Sequence, residues 1–166
     1  MNVASERANA RLRFLDRYAG IPLLWSLGRT PRRRARPENV RAIGLLKTAA
    51  IGDTVILSAV VPDLRRHFPD ARLVLFAGSS NVEVARMIPG LDEVVHLPVR
   101  QVRGAVRRIR SVPVDVLFDF GPWPRFDALL ARFSSARFTV GFRTDGQYRH
   151  YCYDEWVEHS GAVHEL

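Results

Sequence analysis

Gly52 and Asp53 stand where an apolar run gives way to a helical pattern. Residues 42–48 (AIGLLKT) are apolar and too few for a helix, whereas apolar residues after Asp53 recur at spacings of three and four. A carboxylate at such a junction can take a proton from a ligand hydroxyl and act as a general base. It can equally cap the helix, which contributes roughly 1 kcal/mol of stability. The residues alone leave both interpretations open.

The elements that must position this carboxylate alternate along the chain. Strands are predicted at 42–48, 72–77, 93–97, 114–120 and 137–142. Helices are predicted at 53–67, 81–88, 99–110 and 125–133, with a last one beginning near Ser160. This alternation is typical of β-α-β units and predicts an α/β fold, a Rossmann-like parallel sheet with helices on both faces. Ligands bind such sheets at the carboxyl ends of the strands, which selects residues 48–53, 78–81, 98–103 and 119–125.

Charge divides the chain into a basic leader and a nearly neutral remainder. The 166 residues carry a net charge of +8, and residues 1–41 hold ten arginines against three acidic residues. We therefore expect a basic helical leader and arginine/proline-rich linker over residues 1–39, and one Rossmann-like domain over residues 40–166. The single cysteine, Cys152, excludes an internal disulfide. With no apolar run long enough for a membrane span and no signal peptide, the predicted location is the cytoplasm.

The leader has two interpretations. It can lie on the anionic inner face of the cytoplasmic membrane, because apolar residues stand among its arginines. It can instead pack on the domain and continue as a solvated linker. The apolar residues concerned are Leu12, Leu15, Ile21, Leu23, Leu24 and Trp25. Nucleic acid is not an expected partner, since no RNA-binding motif or aromatic platform accompanies the charge.

Motifs for nucleotide and metal binding are not found. "KTAAIGDT" is not a P-loop, and no G-x-G-x-x-G follows the first predicted strand. Four potential metal ligands near the end of the chain have spacings that match no standard zinc pattern. They are His150, Cys152, His159 and His164. No metal or cofactor is predicted.

The order of several short motifs is more specific than any one of them. An apolar strand ends in Lys47, and a small-residue loop leads to Gly52-Asp53. Next come a helix ended by a "PDA" turn, a second strand and a "GLDEVV" strand, and later "VDVLFDF" and "VGF". This series, over about residues 10–166, resembles the N-terminal half of glycosyltransferase family 9, the lipopolysaccharide heptosyltransferases.

The resemblance implies a GT-B architecture, in which two Rossmann-like domains face each other and the N-terminal one binds the acceptor. Asp53 would be the catalytic base of an inverting transfer. Gly52 would let the backbone approach a ligand closely, and the helix N-terminus would favour the ionised carboxylate. Because Ala49 and Ala50 stand where many relatives have hydroxyl residues, ligand hydrogen bonds from that loop would come from its backbone.

The acceptor of that family is an anionic glycolipid, which arginine side chains can bind in a bidentate manner. The residues that we assign to its binding by resemblance are Lys47, Gly52, Thr54, Arg100, Arg103, Asp119 and Arg125.

The donor of that family is a nucleotide-sugar such as ADP-heptose, bound by a C-terminal domain that we expect to be missing from this chain. We therefore expect the acceptor-binding half of a transferase for heptose or a related sugar, inactive alone. The alternative is a non-catalytic, membrane-associated binding module on the same fold.

Overall fold

Six parallel strands form one sheet in the computed structural model, which describes residues 20–30, 33–121 and 125–159. The strands are β1 Ala42–Lys47, β2 Arg72–Ala77, β3 Glu93–His96, β4 Val116–Asp119, β5 Phe138–Arg143 and β6 Glu155–Glu158. Their order across the sheet is β3-β2-β1-β4-β5-β6, and every pairing is parallel. The predicted Rossmann-like α/β fold is confirmed.

Helices cover both faces of this sheet. They are α1 Gly20–Gly28, α2 Ile51–Leu57, α3 Val60–His67, α4 Val82–Ala85, α5 Val102–Arg110 and α6 Arg125–Phe133, with a short 3-10 helix at Arg149–Cys152. One core contains buried residues of α2, α3 and α4, and the other contains buried residues of α1, α5 and α6. In β1, Ile43 and Leu45 belong to the first core and Leu46 to the second. Because both faces are buried, the central strands read as continuous apolar runs.

The helix predicted at 53–67 is wrong as a single element. It is two helices, α2 and α3, separated at Ser58 and Ala59. Pro62 explains the break, because it has no N–H to donate and its ring conflicts with the carbonyl of Ser58, four residues earlier. Within the first turn of α3 the same proline is tolerated, since that turn lacks intrahelical acceptors for its N–H groups.

The described part of the leader packs against the domain. Leu24 of α1 is fully buried in the core that α5 and α6 also form. Arg34 donates hydrogen bonds to Asp154 and to the carbonyl of Ala136, and Arg36 pairs with Glu155. The interpretation of this stretch as a solvated linker is therefore wrong for Arg34. Leu12, Leu15 and the side chains of Ile21 and Leu23 lie outside the described residues, and the division at residue 40 stays a prediction.

The sixth strand is absent from the sequence-based prediction. Glu155–Glu158 pairs in parallel with β5, although the last strand that the sequence predicts is 137–142. The helix predicted near Ser160 lies outside the described residues. Among the helices that the structure describes, none combines the length and apolarity needed to cross a membrane.

Candidate functional site

The carboxyl ends of the central strands meet at one edge of the sheet. Lys47, the last residue of β1, is in register with Ala77, which is in register with His96 at the end of β3. On the other side, Leu46 is in register with Asp119 at the end of β4. The loops after these strands therefore open at the edge where ligands bind in this class of fold.

Lys47 and Asp53 form an ion pair at this edge. Lys47 Nζ lies 2.5 Å from Asp53 Oδ2, and it also donates a 3.2 Å hydrogen bond to the carbonyl of Phe120. The lysine side chain is only 6% exposed, whereas 44% of the Asp53 side chain is exposed. A buried cation thus holds one carboxylate oxygen, while the rest of the carboxylate faces solvent at the sheet edge.

Asp53 is not the helix cap that one interpretation of the sequence suggested. The cap position of α2 is Ala50, which makes no side-chain capping bond, and Asp53 is the third residue of the helix. The helix begins two residues earlier than predicted, at Ile51. The carboxylate is directed to Lys47 and not to the helix N-terminus, so the capping interpretation is wrong.

Ala50 has an unusual backbone conformation, with φ 70°. This region is unfavourable for residues other than glycine and is enriched at functional sites. Thr54 stabilises it, because both its backbone N–H and its hydroxyl donate to the Ala50 carbonyl, at 3.1 and 2.8 Å. The loop that presents Asp53 is therefore held in a strained shape by the helix that follows.

Asn81, in the loop after β2, fixes this arrangement from the neighbouring strand. Its buried amide donates to the Lys47 carbonyl at 2.9 Å and to the Thr54 hydroxyl at 2.8 Å. Its oxygen accepts the N–H of Gly78 at 3.0 Å. Since Thr54 is itself fully buried, its hydroxyl serves the loop, and its predicted contact with a substrate stays a prediction.

The small residues near Asp53 leave open space. Ala49 and Gly52 are exposed, and a Cβ added at Gly52 would meet nothing within 4 Å. The packing of the protein itself therefore does not require glycine at this position. Close approach of a ligand to Gly52 stays a prediction.

The three predicted arginines differ in their surroundings. Arg100, in the loop after β3, and Arg103, in the first turn of α5, are exposed. Arg125 begins α6 and is partly buried, and its Nε donates to the Gln147 carbonyl at 3.3 Å. Arg100 and Arg103 are thus available to an anionic ligand, whereas Arg125 also holds the loop between β5 and the 3-10 helix.

Asp119 lies at the expected edge but inside the protein. Its side chain is fully buried, and its Oδ2 accepts hydrogen bonds from Arg149 at 2.8 Å and from the Tyr153 hydroxyl at 2.6 Å. Its Oδ1 accepts the N–H of Gly121 at 2.8 Å. The Tyr153 ring reaches this position across Gly141, where a Cβ would come within 2.3 Å of it. The substrate contact of Asp119 stays a prediction, and the burial of its side chain favours a structural role.

A second buried carboxyl group, Asp127 of α6, belongs to the same cluster. The Thr48 hydroxyl donates to its Oδ1 at 2.6 Å. Burial raises the pKa of Asp127 to about 7, with a further contribution from the charge of Asp119. Burial also raises the pKa of Tyr153 well above its usual value. For Arg149, burial lowers the pKa, but the neighbouring Asp119, Tyr153 and Asp127 together outweigh it, so that the pKa is raised and the guanidinium stays charged.

One other concave region is distinct from the Asp53 site. A depression of about 590 Å³ lies at the amino ends of β1 and β5, lined by residues 34–39 and Arg137. Its arginines pair with acidic residues of the protein, as Arg137 does with Asp115. Among the described residues, no three His, Cys, Asp or Glu side chains are grouped as metal ligands would be.

Comparison with known proteins relates this geometry to solved structures. The E. coli heptosyltransferase WaaC with ADP superposes with a TM-score of 0.63 at 13% identity, over 74% of this chain and 42% of that one. The chain has the fold of glycosyltransferase family 9 structures. The E. coli ADP-heptose lps heptosyltransferase II matches with a TM-score of 0.59 at 16% identity, over 69% of this chain and 34% of that one. The glycosyltransferase of family 9 from Veillonella parvula DSM 2008 matches with a TM-score of 0.60 at 15% identity, over 70% of this chain and 36% of that one.

The chain therefore spans about 34–42% of the length of the structures it matches, which fits one Rossmann-like half of a GT-B fold. No family model matches the sequence, and no curated protein matches it. The resemblance to family 9 deduced from the motifs is confirmed at the level of the fold.

Proposed function

We propose that the chain binds the acceptor in an inverting glycosyltransferase reaction and supplies Asp53 as the general base. The sugar transferred would be heptose or a related sugar, and the acceptor lipopolysaccharide core or a similar anionic glycan. The observation that carries this proposal is the half-exposed Asp53 carboxylate, held by Lys47 at the ligand-binding edge of a sheet with the family 9 fold.

In the proposed step, Asp53 accepts the proton of an acceptor hydroxyl while that oxygen attacks the anomeric carbon of the donor. The bond between the anomeric carbon and the nucleotide phosphate breaks, and the configuration inverts. Lys47 is too deeply buried to be the main contact of a glycan, so we assign it to orienting the base. The strained Ala50 and the Asn81 hydrogen bonds keep the carboxylate in one place before the acceptor arrives.

The acceptor would meet positive charge on the same side of the sheet. Arg100 and Arg103 are exposed after β3 and can bind phosphate or carboxylate groups of the glycan. Arg125 would contribute from the loop after β4. The donor, a nucleotide-sugar such as ADP-heptose, would bind a second domain facing this edge. The reaction would take place in the cytoplasm, at the inner face of the cytoplasmic membrane.

The test is sugar transfer by the intact natural protein that contains this chain, with Asp53→Asn. Loss of the base should lower kcat by about 10²- to 10⁴-fold, while the Kd for the acceptor changes by less than about threefold. Asp63→Asn in α3 is the matched control, because Asp63 is an exposed carboxylate that pairs with Arg66 on the surface of the same helix. Transfer by the Asp53 variant at the rate of the control would overturn the assignment.

Lys47→Met tests the positioning role separately. The methionine keeps the length of the side chain but cannot hold the carboxylate, so kcat should fall while the fold persists. The KM for the acceptor should change little, because Lys47 holds the base and is too buried to be a main contact of the glycan. An unchanged kcat would show that Lys47 does not act on the base.

A non-catalytic, membrane-associated binding module remains the second candidate, favoured by one observation. Trp25 of α1 is 51% exposed, and the guanidinium of Arg29 lies 4.1 Å from its ring centre. An exposed aromatic ring beside a cation suits the headgroup region of an anionic membrane. Trp25→Ala should weaken sedimentation with phosphatidylglycerol vesicles, and acceptor binding without any transfer by the intact protein would favour this candidate over the enzyme.

A further inference from the structure

Asp119 and Asp127 lie on the same side of Gly121, inside the protein. A Cβ built on Gly121 would stand 2.7 Å from Asp127 Oδ2 and 3.2 Å from Asp119 Oδ1. The Asp119 side chain is 0% exposed, and Asp127 as a residue is 1% exposed. The two carboxyl groups therefore share the small buried space that the missing glycine side chain leaves.

Their partners are unequally divided. Asp119 receives hydrogen bonds from Arg149, Tyr153 and the Gly121 N–H. Among the described residues, Thr48 binds Asp127 through its hydroxyl on Oδ1 and through its backbone, and none donates to Oδ2. If both carboxyl groups were ionised, the single guanidinium of Arg149 would balance only one of them. An unbalanced charge in a buried site is unfavourable enough that such a group keeps its proton instead.

We propose that Asp119 and Asp127 form an acid pair that holds a single proton, resident on Asp127, and that this pair is a pH-sensitive switch beneath the loop that carries Asp53. The charge balance of the cluster carries the inference, and the pKa of Asp127, raised to about 7 by burial and by Asp119, agrees with it. The inference concerns the protein itself and does not depend on glycosyl transfer.

Within the part of the chain that the structure describes, the groups that face Asp127 come from several elements. Asp119 from β4 disfavours its ionisation, whereas Arg149 from the 3-10 helix and the hydroxyl of Thr48 favour it. Tyr153, just before β6, binds Asp119 and stays neutral. Lys47, at the end of β1, is already paired with Asp53. The neighbouring helices contribute apolar residues to this core, namely Leu24 of α1 and Ala105 and Ile109 of α5.

Thr48 connects this pair to the candidate site. Its hydroxyl binds the titrating carboxyl group, and it directly follows Lys47, which holds Asp53. Loss of the proton strengthens the Thr48 hydrogen bond but brings a second negative charge next to Asp119. The loop from Thr48 to Asp53 should therefore sense the change in ionisation.

The sign of the effect on stability follows from the direction of the shift. The pKa of Asp127 is higher in the folded protein than its ordinary value of 3.8 in the unfolded chain. Its contribution to stability is thus complete below the unfolded value and is lost as the pH rises to about 7. Between those limits the folding equilibrium constant should fall by up to about tenfold per pH unit, and above them it should level off.

The experiment is carboxyl ¹³C NMR of the chain labelled in aspartate, titrated from about pH 4 to 9, with urea unfolding at the same pH values. One carboxyl carbon should titrate near neutrality, and Asp127→Asn should remove both that signal and the corresponding fall in stability. Asp63→Asn, an exposed control, should remove neither. A wild-type spectrum with no carboxyl group titrating between about pH 6 and 8 would overturn the proposal, whether or not the Asp127 variant folds.

Two further variants separate a shared proton from a merely buried acid. Asp119→Asn removes the neighbouring negative charge and should move the midpoint of the titration to lower pH. Thr48→Val removes the hydrogen bond that favours the ionised form and should move it to higher pH. Amide shifts of residues 49–53 should follow the same midpoint. If both variants titrated with the same midpoint as the wild type, the proposed acid pair would be contradicted.

Discussion

Two ion pairs lie at the same edge of the sheet and differ in what they expose. In the Lys47–Asp53 pair the cation is buried and 44% of the acidic side chain is exposed, whereas in the Arg149–Asp119 pair both side chains are 0% exposed. The first leaves part of a carboxylate accessible to a ligand, and the second leaves nothing accessible. We infer that the first pair serves chemistry and that the second holds β4, the 3-10 helix and the start of β6 together beneath it.

The largest expected difference between the two pairs is in stability. Arg149→Met would leave Asp119 without its cation in the core, so the free energy of unfolding should fall by about 3–5 kcal/mol. Lys47→Met leaves an acid that water can reach, and the change should stay below about 1 kcal/mol. Urea unfolding of both variants at pH 7 measures this difference in stability. Equal losses of stability in the two variants would contradict it.

Gly52, next to Asp53, and Gly121, close to Asp119 and Asp127, should respond to alanine with smaller changes in stability that have opposite signs. Gly121→Ala would place a Cβ 2.7 Å from Asp127 Oδ2, which should cost about 1–3 kcal/mol of stability. Gly52→Ala meets nothing within 4 Å and lies in α2, where alanine is favoured, so stability should rise by up to about 1 kcal/mol. Thermal unfolding of the two variants tests this, and a stabilising Gly121 variant would contradict the crowded space around the acid pair.

The smallest expected effect concerns the strain that appears only in the exposed site. Ala50 has φ 70°, so Ala50→Gly should relieve strain and raise the free energy of unfolding by less than about 1 kcal/mol. In the intact protein the same change should loosen the loop and lower transfer more than acceptor binding. Differential scanning calorimetry and kinetics measure the two effects, and a clear loss of stability would show that the conformation is not strained.

The sheet could be predicted from the sequence because each inner strand is an apolar run bounded by polar or turn residues. Residues 72–77 and 125–133 were predicted with the bounds that β2 and α6 have. Strand β6 was not predicted, because Glu155–Glu158 is a largely exposed edge strand in which charged residues flank Trp156 and Val157. The break before α3 was also missed, although Pro62 marked it.

The candidate site could be predicted from the sequence only where its residues are close along the chain. Lys47 and Asp53 are six residues apart, so the motif that suggested the base also contained its partner. Thr48 and Asp127 are 79 residues apart, and no local pattern connects them. Asp127 nevertheless gave a signal, since it shares the helical face of Leu130 and Ala131, which are buried. An acidic residue on an apolar face indicates a buried partner, and Asn81 gave no comparable signal.

The hydrogen bonds of Arg34 to Asp154 join residues 120 positions apart, near the two ends of the described chain. Asp154 also accepts the backbone N–H and hydroxyl of Thr139, so the same carboxylate ties the segment before β1 to β5. During synthesis on the ribosome, this contact can form only after residue 154 has left the exit tunnel. The hydrogen bonds of Arg34 to Asp154 can therefore form only after β1 to β5 have emerged, and they should be a late event in co-translational folding.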